Sequence, residues 1–243
     1  MRRLLLAVLL GLAGQALAED PREISVAAAQ AADFATLQDL QARLRQTSQA
    51  EPGSFAAQLA AAEGYLAGAN RLRNERKIVS KMPADQDAEY RAQQAKWAEE
   101  AIPLAERALE LAPDDAERAQ AERVLGELHA HRITGMLSGM INGPRARRHI
   151  GRALELAPDD PECKRAIGLM YLNNPPISGG DVPKAIETFT RCAEQQRDER
   201  CLVLLSMAYR KHGESGRARE AAEQALARNP ASPEAKLLLA ELR

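Results

Sequence analysis

Residues 107–115 and 152–160 read identically, Arg-Ala-Leu-Glu-Leu-Ala-Pro-Asp-Asp, and this repeated RALELAPDD decides the fold. Each copy runs from the end of one helical pattern to the start of another. Pro113 and Pro158 stop a helix, because proline lacks the amide that the next turn needs. Asp114 and Asp159 are the expected N-caps of the helices that follow. Glu117 and Glu162, three residues later, are expected to complete capping boxes. These acidic residues are therefore read as caps for otherwise orphaned amides, not as catalytic carboxylates or calcium ligands. Exact repetition of such a connector marks an array in which each helix pair buries its apolar face on its neighbours.

The same pattern extends in both directions from the two copies. Ile24 to Gln46 is predicted as one helix, with Phe34, Leu37, Leu40 and Leu44 recurring at three- and four-residue steps. Glu51-Pro52-Gly53 ends it. Ser54 caps the next helix, which carries Phe55, Leu59 and Leu66 and stops near Lys81-Met82-Pro83. A further helix from about Asp87 to Leu111 places Tyr90 and Trp97 on one face, and Pro103 should kink it. Pro233 follows Ser232 at a helix start, where a missing amide costs little. Aromatic residues are only 3% of the chain although 45% is hydrophobic, so the core must be built from Ala and Leu. That composition suits thin helices stacked closely, an all-α fold.

In the last helix pair, Leu205-Ser206, Tyr209, Ala218, Ala222, Ala225 and Pro230 follow a spacing of small and bulky residues that resembles the tetratricopeptide repeat. Ile167-Gly168, Tyr171, Ala185, Phe189 and Cys192 keep the same order with a longer connector. Leu125-Gly126, His129, Ala146, Ile150, Ala153 and Pro158 form a pair that is longer still. Ala101, Ala108 and Pro113 end a divergent first pair. The resemblance implies a right-handed solenoid of antiparallel pairs at 54–113, 114–158, 159–197 and 198–230, capped by a helix at 232–242. Residues 19–53 are expected to form an N-terminal helix and linker.

Residues 1–18 read as a cleaved export signal. Arg2 and Arg3 form a basic start, Leu4 to Leu12 an apolar core, and Ala16-Leu17-Ala18 a small-residue cleavage site. The position after that site is Glu19 rather than a cysteine, so lipid attachment there is not expected. No later segment is apolar for the roughly 20 residues that a spanning helix needs. The expected location is the periplasm. Loss of the two signal arginines takes the formal charge from −1 to −3, which excludes a typical nucleic-acid binder with its basic excess. The cysteines are Cys163, Cys192 and Cys201. An antiparallel turn would bring Cys192 and Cys201 face to face for a disulfide, with three buried thiols as the alternative.

Two segments depart from an ordinary repeat. Asn173-Asn174-Pro175-Pro176-Ile177-Ser178-Gly179-Gly180-Asp181 cannot continue a helix, so a loop must project there before Asp181 caps the next helix. It is either a longer connector or the rim of a groove, with Ile177 as an apolar contact. In Ile133 to Gly143, glycines at 135, 139 and 143 share a helix face suited to close backbone approach, beside Met136, Leu137, Met140 and Ile141. Those side chains either fill a core or adapt to an apolar ligand. If both departures lie at one end of the array, they form one apolar mouth.

No local motif of an enzyme, metal site or cofactor is present. His129 and His131 point apart on a helix, and no Cys-x-x-Cys or nucleophile elbow occurs. The resemblance therefore implies a non-enzymatic scaffold that binds a protein or peptide partner in an envelope complex. Tyr171, Asn173, Asn174 and Tyr209 are candidates near its groove, with Gly179 and Gly180 in the adjoining loop. In layout the chain is also similar to periplasmic helical subunits of tripartite transporters and of bacterial sterol-transport systems. That likeness implies a hydrophobic ligand lined by Trp97, Met136, Met140, Ile141 and Ile177.

Overall fold

The carboxylate of Asp114 accepts a hydrogen bond from the Glu117 amide at 2.8 Å, and a helix begins directly behind it. Local signals of this kind set most boundaries in the computed structural model, which describes residues 20–195 and 199–243. The expected export signal lies outside the described residues, as do residues 196–198. Eleven α-helices are present among the described residues: α1 Pro21–Ala29, α2 Phe34–Ala50, α3 Phe55–Ile78, α4 Ala84–Leu111, α5 Asp115–His131, α6 Met136–Leu156, α7 Pro161–Asn173, α8 Val182–Gln195, α9 Arg200–His212, α10 Ser215–Arg228 and α11 Pro233–Glu241. A single 3-10 turn, Pro176–Ser178, lies between α7 and α8.

Helices α3 and α4, α5 and α6, α7 and α8, and α9 and α10 pack as successive antiparallel pairs, and each pair leans on the next. Ser54 caps α3, Ser232 caps α11 with Pro233 at its first position, and Asp181 accepts from the Lys184 amide ahead of α8. Two capping expectations are corrected. The cap of α7 is Asp160, not Asp159, because Pro161 occupies the first helical position and shifts the start by one residue. Glu117 and Glu162 do not turn back to their caps. They form ion pairs with Arg22 and with Arg165 and Arg200 instead.

Close approach within a pair depends on small residues of its first helix. A side-chain carbon on Gly126 would fall 2.5 Å from Ile150, and one on Gly168 would fall 2.7 Å from the Phe189 ring. Ser206, at the matching place in α9, is fully buried and donates to the Ala218 carbonyl. Trp97 of α4 lies buried against Gly68 of α3 by the same logic. Pro103 stays inside an unbroken α4.

The N-terminal region differs from its prediction. The single helix expected over Ile24 to Gln46 is two helices, because Asp33 caps α2 through the Thr36 amide and so terminates the pattern before it. Both α1 and α2 pack on α3, burying Ile24, Ala28, Leu37, Leu40 and Leu44.

The two ends of the array also meet. In an open solenoid each repeat touches only its neighbours. Here Ile78, at the end of the 24-residue α3, is buried in the core of the last two pairs. Arg210 donates to the carbonyls of Lys77 and Ile78, the Ser80 amide donates to Glu241 at 2.9 Å, and α11 packs on α3.

Candidate functional site

The first helices of the four pairs carry a connected set of charged side chains. Arg123 of α5 reaches Glu63 of α3 at 2.6 Å and Glu127 of its own helix at 3.0 Å. Arg165 of α7 reaches Glu127 at 3.3 Å and Glu162 at 2.9 Å, and Arg200 of α9 reaches Glu162 at 3.1 Å. The side chains of Arg123, Glu127 and Arg165 are almost wholly buried. Burial by itself would raise the Glu127 carboxyl, but Arg165, Arg123 and Arg73 outweigh it and hold it below the ordinary range. At Arg73 burial outweighs the attraction of Glu127, and the guanidinium is pushed down to about 10. Burial together with Arg73 and Arg76 keeps His131 neutral well below its usual value, and its Nε2–H donates to Oδ1 of Asn70 at 2.9 Å.

Helix α1 lies on this inner face. Arg22 pairs with Glu117, the Ser25 hydroxyl donates to Glu63 at 3.0 Å, and Arg71 holds the carbonyls of Ala31 and Ala32 at the helix exit. Two clefts remain beside it. One, of about 200 Å³, brings Ser25, Val26 and Ala29 of α1 against Asn70, Arg123, Glu162, Arg165 and Arg200. The other, of about 80 Å³, lies between Ala29, Asn70, Arg73, Arg200, Leu204 and Glu234. Both mix apolar side chains with groups that exchange hydrogen bonds and charge.

Most residues singled out from the sequence lie elsewhere. Tyr209 is buried, with the Arg217 guanidinium 4.2 Å above its ring. Tyr171 is half-buried beside Lys184. Asn173 donates to the Leu169 carbonyl and also lines a cleft with Lys77, Leu172, Met207, Arg210 and Lys211. Asn174 donates to the Ser178 carbonyl, and the Asp181 amide returns to Tyr171, so the loop satisfies itself. Gly179 has φ of 87°, and a side chain on Gly180 would collide with the Asn174 carbonyl. These two glycines therefore shape the turn, whose tip, Ile177, is almost fully exposed. Cys192 and Cys201 form a disulfide with Cα atoms 5.8 Å apart, while Cys163 stays a buried thiol.

The Met-rich segment is corrected on packing. Met136, Leu137, Met140 and Ile141 are exposed, and nothing approaches Gly135 or Gly143 closely, because α6 turns its Asn142, Ala146, Ile150 and Ala153 side inward. A cleft between α4 and α6 includes Leu137 and Ile141 but neither Ile177 nor Trp97, so the single apolar mouth does not form there. Sequence reasoning missed the charged inner face. Its local signal was present only in the register: Arg123, Glu127, Glu162 and Arg165 recur at three- and four-residue steps on helices otherwise rich in small residues.

Residues 199–242 match the family model of the tetratricopeptide repeat. This part of the chain is a tetratricopeptide repeat. The fold likeness reaches much further: TTC0263, a thermophilic TPR protein of Thermus thermophilus, superposes with a TM-score of 0.63 at 12% identity, over 91% of this chain and 98% of that one. YrrB, a TPR protein described as having an unusual peptide-binding site, gives 0.42 at 16% identity over 82% and 81% of the two chains. Pseudomonas aeruginosa pilF gives 0.40 at 16% identity over 91% and 99%. No curated protein sequence matches the chain. In tetratricopeptide terms α3, α5, α7 and α9 are the first helices of their pairs, and the charged face belongs to them. No helix among the described residues is long and apolar enough to cross a membrane.

Proposed function

We propose that the chain is a non-enzymatic tetratricopeptide scaffold of the periplasm, which holds a protein or peptide partner on the inner face beside α1. The observation that carries this reading is α1 itself. A nine-residue helix of this chain already lies on that face, held by ion pairs and hydrogen bonds to the first helices, so the surface has the chemistry to seat a peptide. The arginines and Asn70 that remain beside it suit carbonyl and carboxylate groups, in the charge-assisted bonds that guanidinium forms best. A hydrocarbon ligand would take these ion-paired groups further out of water without adding a hydrogen bond to them, which is why the lipid-binding alternative is not preferred. The Cys192–Cys201 disulfide suits an oxidising compartment, in line with the basic, apolar and small-residue pattern of residues 1–18.

Ala29 is exposed and borders both clefts, so Ala29→Trp fills them without disturbing the core. Capture of a protein partner from envelope extract by the tagged chain is expected to fall by roughly tenfold or more in this variant, as a steric block should produce, with an unchanged melting temperature. Equal capture by both forms, or lipid as the sole molecule purified with the chain, would remove the inner face from the account.

A further inference from the structure

Helix α6 presents an outer face that the inner-face reading does not use. Met136, Met140, Arg147 and Gly151 follow one line along it, and Leu137, Ile141, Pro144 and Arg148 follow the adjacent line. The apolar part is unusually open, with Met136 79%, Leu137 78%, Met140 70% and Ile141 58% exposed, and Ile133 beside them 39%. Large apolar side chains clustered on a surface in this way mark a contact that the isolated chain does not make.

Charge divides the same face along its length. From Arg132 to Leu154 the sequence has five arginines and no acidic residue, in a chain whose formal charge is −1. Arg145, Arg147, Arg148 and Arg152 are exposed, and Arg145 and Arg147 form no ion pair among the described residues. The opposite side, Asn142, Ala146, Ile150 and Ala153, is fixed on α5, so the face cannot rotate away from solvent.

We propose that this face docks on the surface of a bilayer containing anionic phospholipid. Met136, Leu137, Met140 and Ile141 enter the boundary between headgroups and acyl chains, and Arg145, Arg147 and Arg148 lie on the lipid phosphates. An apolar strip continued by exposed arginines matches the layering of a lipid interface, where an apolar zone adjoins a phosphate zone. The methionines, flexible and polarizable, can adapt to the irregular acyl-chain boundary. Docking is peripheral and salt-sensitive, since the arginine contribution decays within a Debye length.

The test is co-sedimentation of the full chain with vesicles of phosphatidylcholine alone and of phosphatidylcholine and phosphatidylglycerol in equal parts. Binding is expected on the mixed vesicles, much weaker binding on the neutral ones, and loss at high salt. Arg145→Gln/Arg147→Gln should weaken partitioning by roughly fivefold for each arginine removed. Met140→Ser/Ile141→Ser should also release the chain, and neither variant should alter the melting temperature because all four side chains are exposed. The proposal is overturned by absence of binding to the mixed vesicles, by equal binding to neutral ones, or by variants that bind like wild type. It is equally overturned if sedimentation shows a dimer of the chain that Met140→Ser/Ile141→Ser disperses, since the face would then be an interface between copies. Failure of partner capture in Ala29→Trp concerns the inner face and leaves these outcomes unaffected.

Discussion

Glu127→Ala is expected to destabilise the chain by about 3–5 kcal/mol, the range seen when one partner of a buried ion pair is removed. Glu127 is the carboxylate between Arg123 and Arg165, 3.0 and 3.3 Å away, and all three side chains are almost wholly buried. Its removal leaves two buried guanidiniums facing each other, with Arg73 adding to the repulsion that now works on Arg165. Denaturant titration followed by circular dichroism measures the loss. Replacing the whole set by apolar residues of similar size should cost far less, because the desolvation of the charges then disappears along with their attraction. The same groups give the wild type a defined acid sensitivity. The folded-state pKa of His131 lies well below 6.5, so its contribution is complete above pH 6.5 and declines as the unfolded chain binds a proton below it. Glu127 and Glu162 are lowered from 4.5, so their contribution is complete above that value and is lost as pH falls through the folded-state pKa. Melting temperature should therefore fall in two stages on acidification, and Glu127→Ala should blunt the second.

Phe189→Ala should cost a comparable amount, about 3–5 kcal/mol, for a different reason. Phe189 is fully buried on α8 and its ring lies where a side chain on Gly168 of α7 would otherwise be. Helix α8 is tied to α9 by the Cys192–Cys201 link, so it cannot shift freely onto α7 to close the space left behind. The penalty is a transfer loss plus an unfilled cavity. Urea unfolding of the variant should show a lower midpoint with an unchanged slope, the mark of a stability change without a change in the surface exposed. A loss under about 1 kcal/mol, far below the usual range for such a truncation, would mean that the small-residue register does not set the distance within a pair.

How much of this was legible follows from the range of each interaction. Ser54, Asp114, Asp181 and Ser232 declare their helix starts within four residues, so local chemistry read them correctly. Gly126, Gly168 and Ser206 declare the packing register because each must admit a partner from the very next helix. Asp160 was misread by one residue because two adjacent aspartates offer the same cap and only Pro161 decides between them. The candidate site was much less legible. Glu63 and Arg123 are 60 residues apart, and Ile78 enters a core built from helices far along the chain; no local pattern encodes such meetings. Methionine and leucine at 136–141 carry the same apolar signal whether they point in or out. The inward face of α6 was set by Ala146, Ile150 and Ala153, which left the methionines outside.

The central claim is that a partner sits on the inner face of the first helices, beside α1. Photo-cross-linking tests it directly, with a benzophenone amino acid at position 29, which borders both inner clefts, and at exposed position 223 on α10 as the comparison. Irradiation of cells producing each form should yield a discrete protein adduct from position 29 and none from position 223. An adduct from position 223 alone, or no protein adduct from position 29 in a chain that melts normally, would contradict the account.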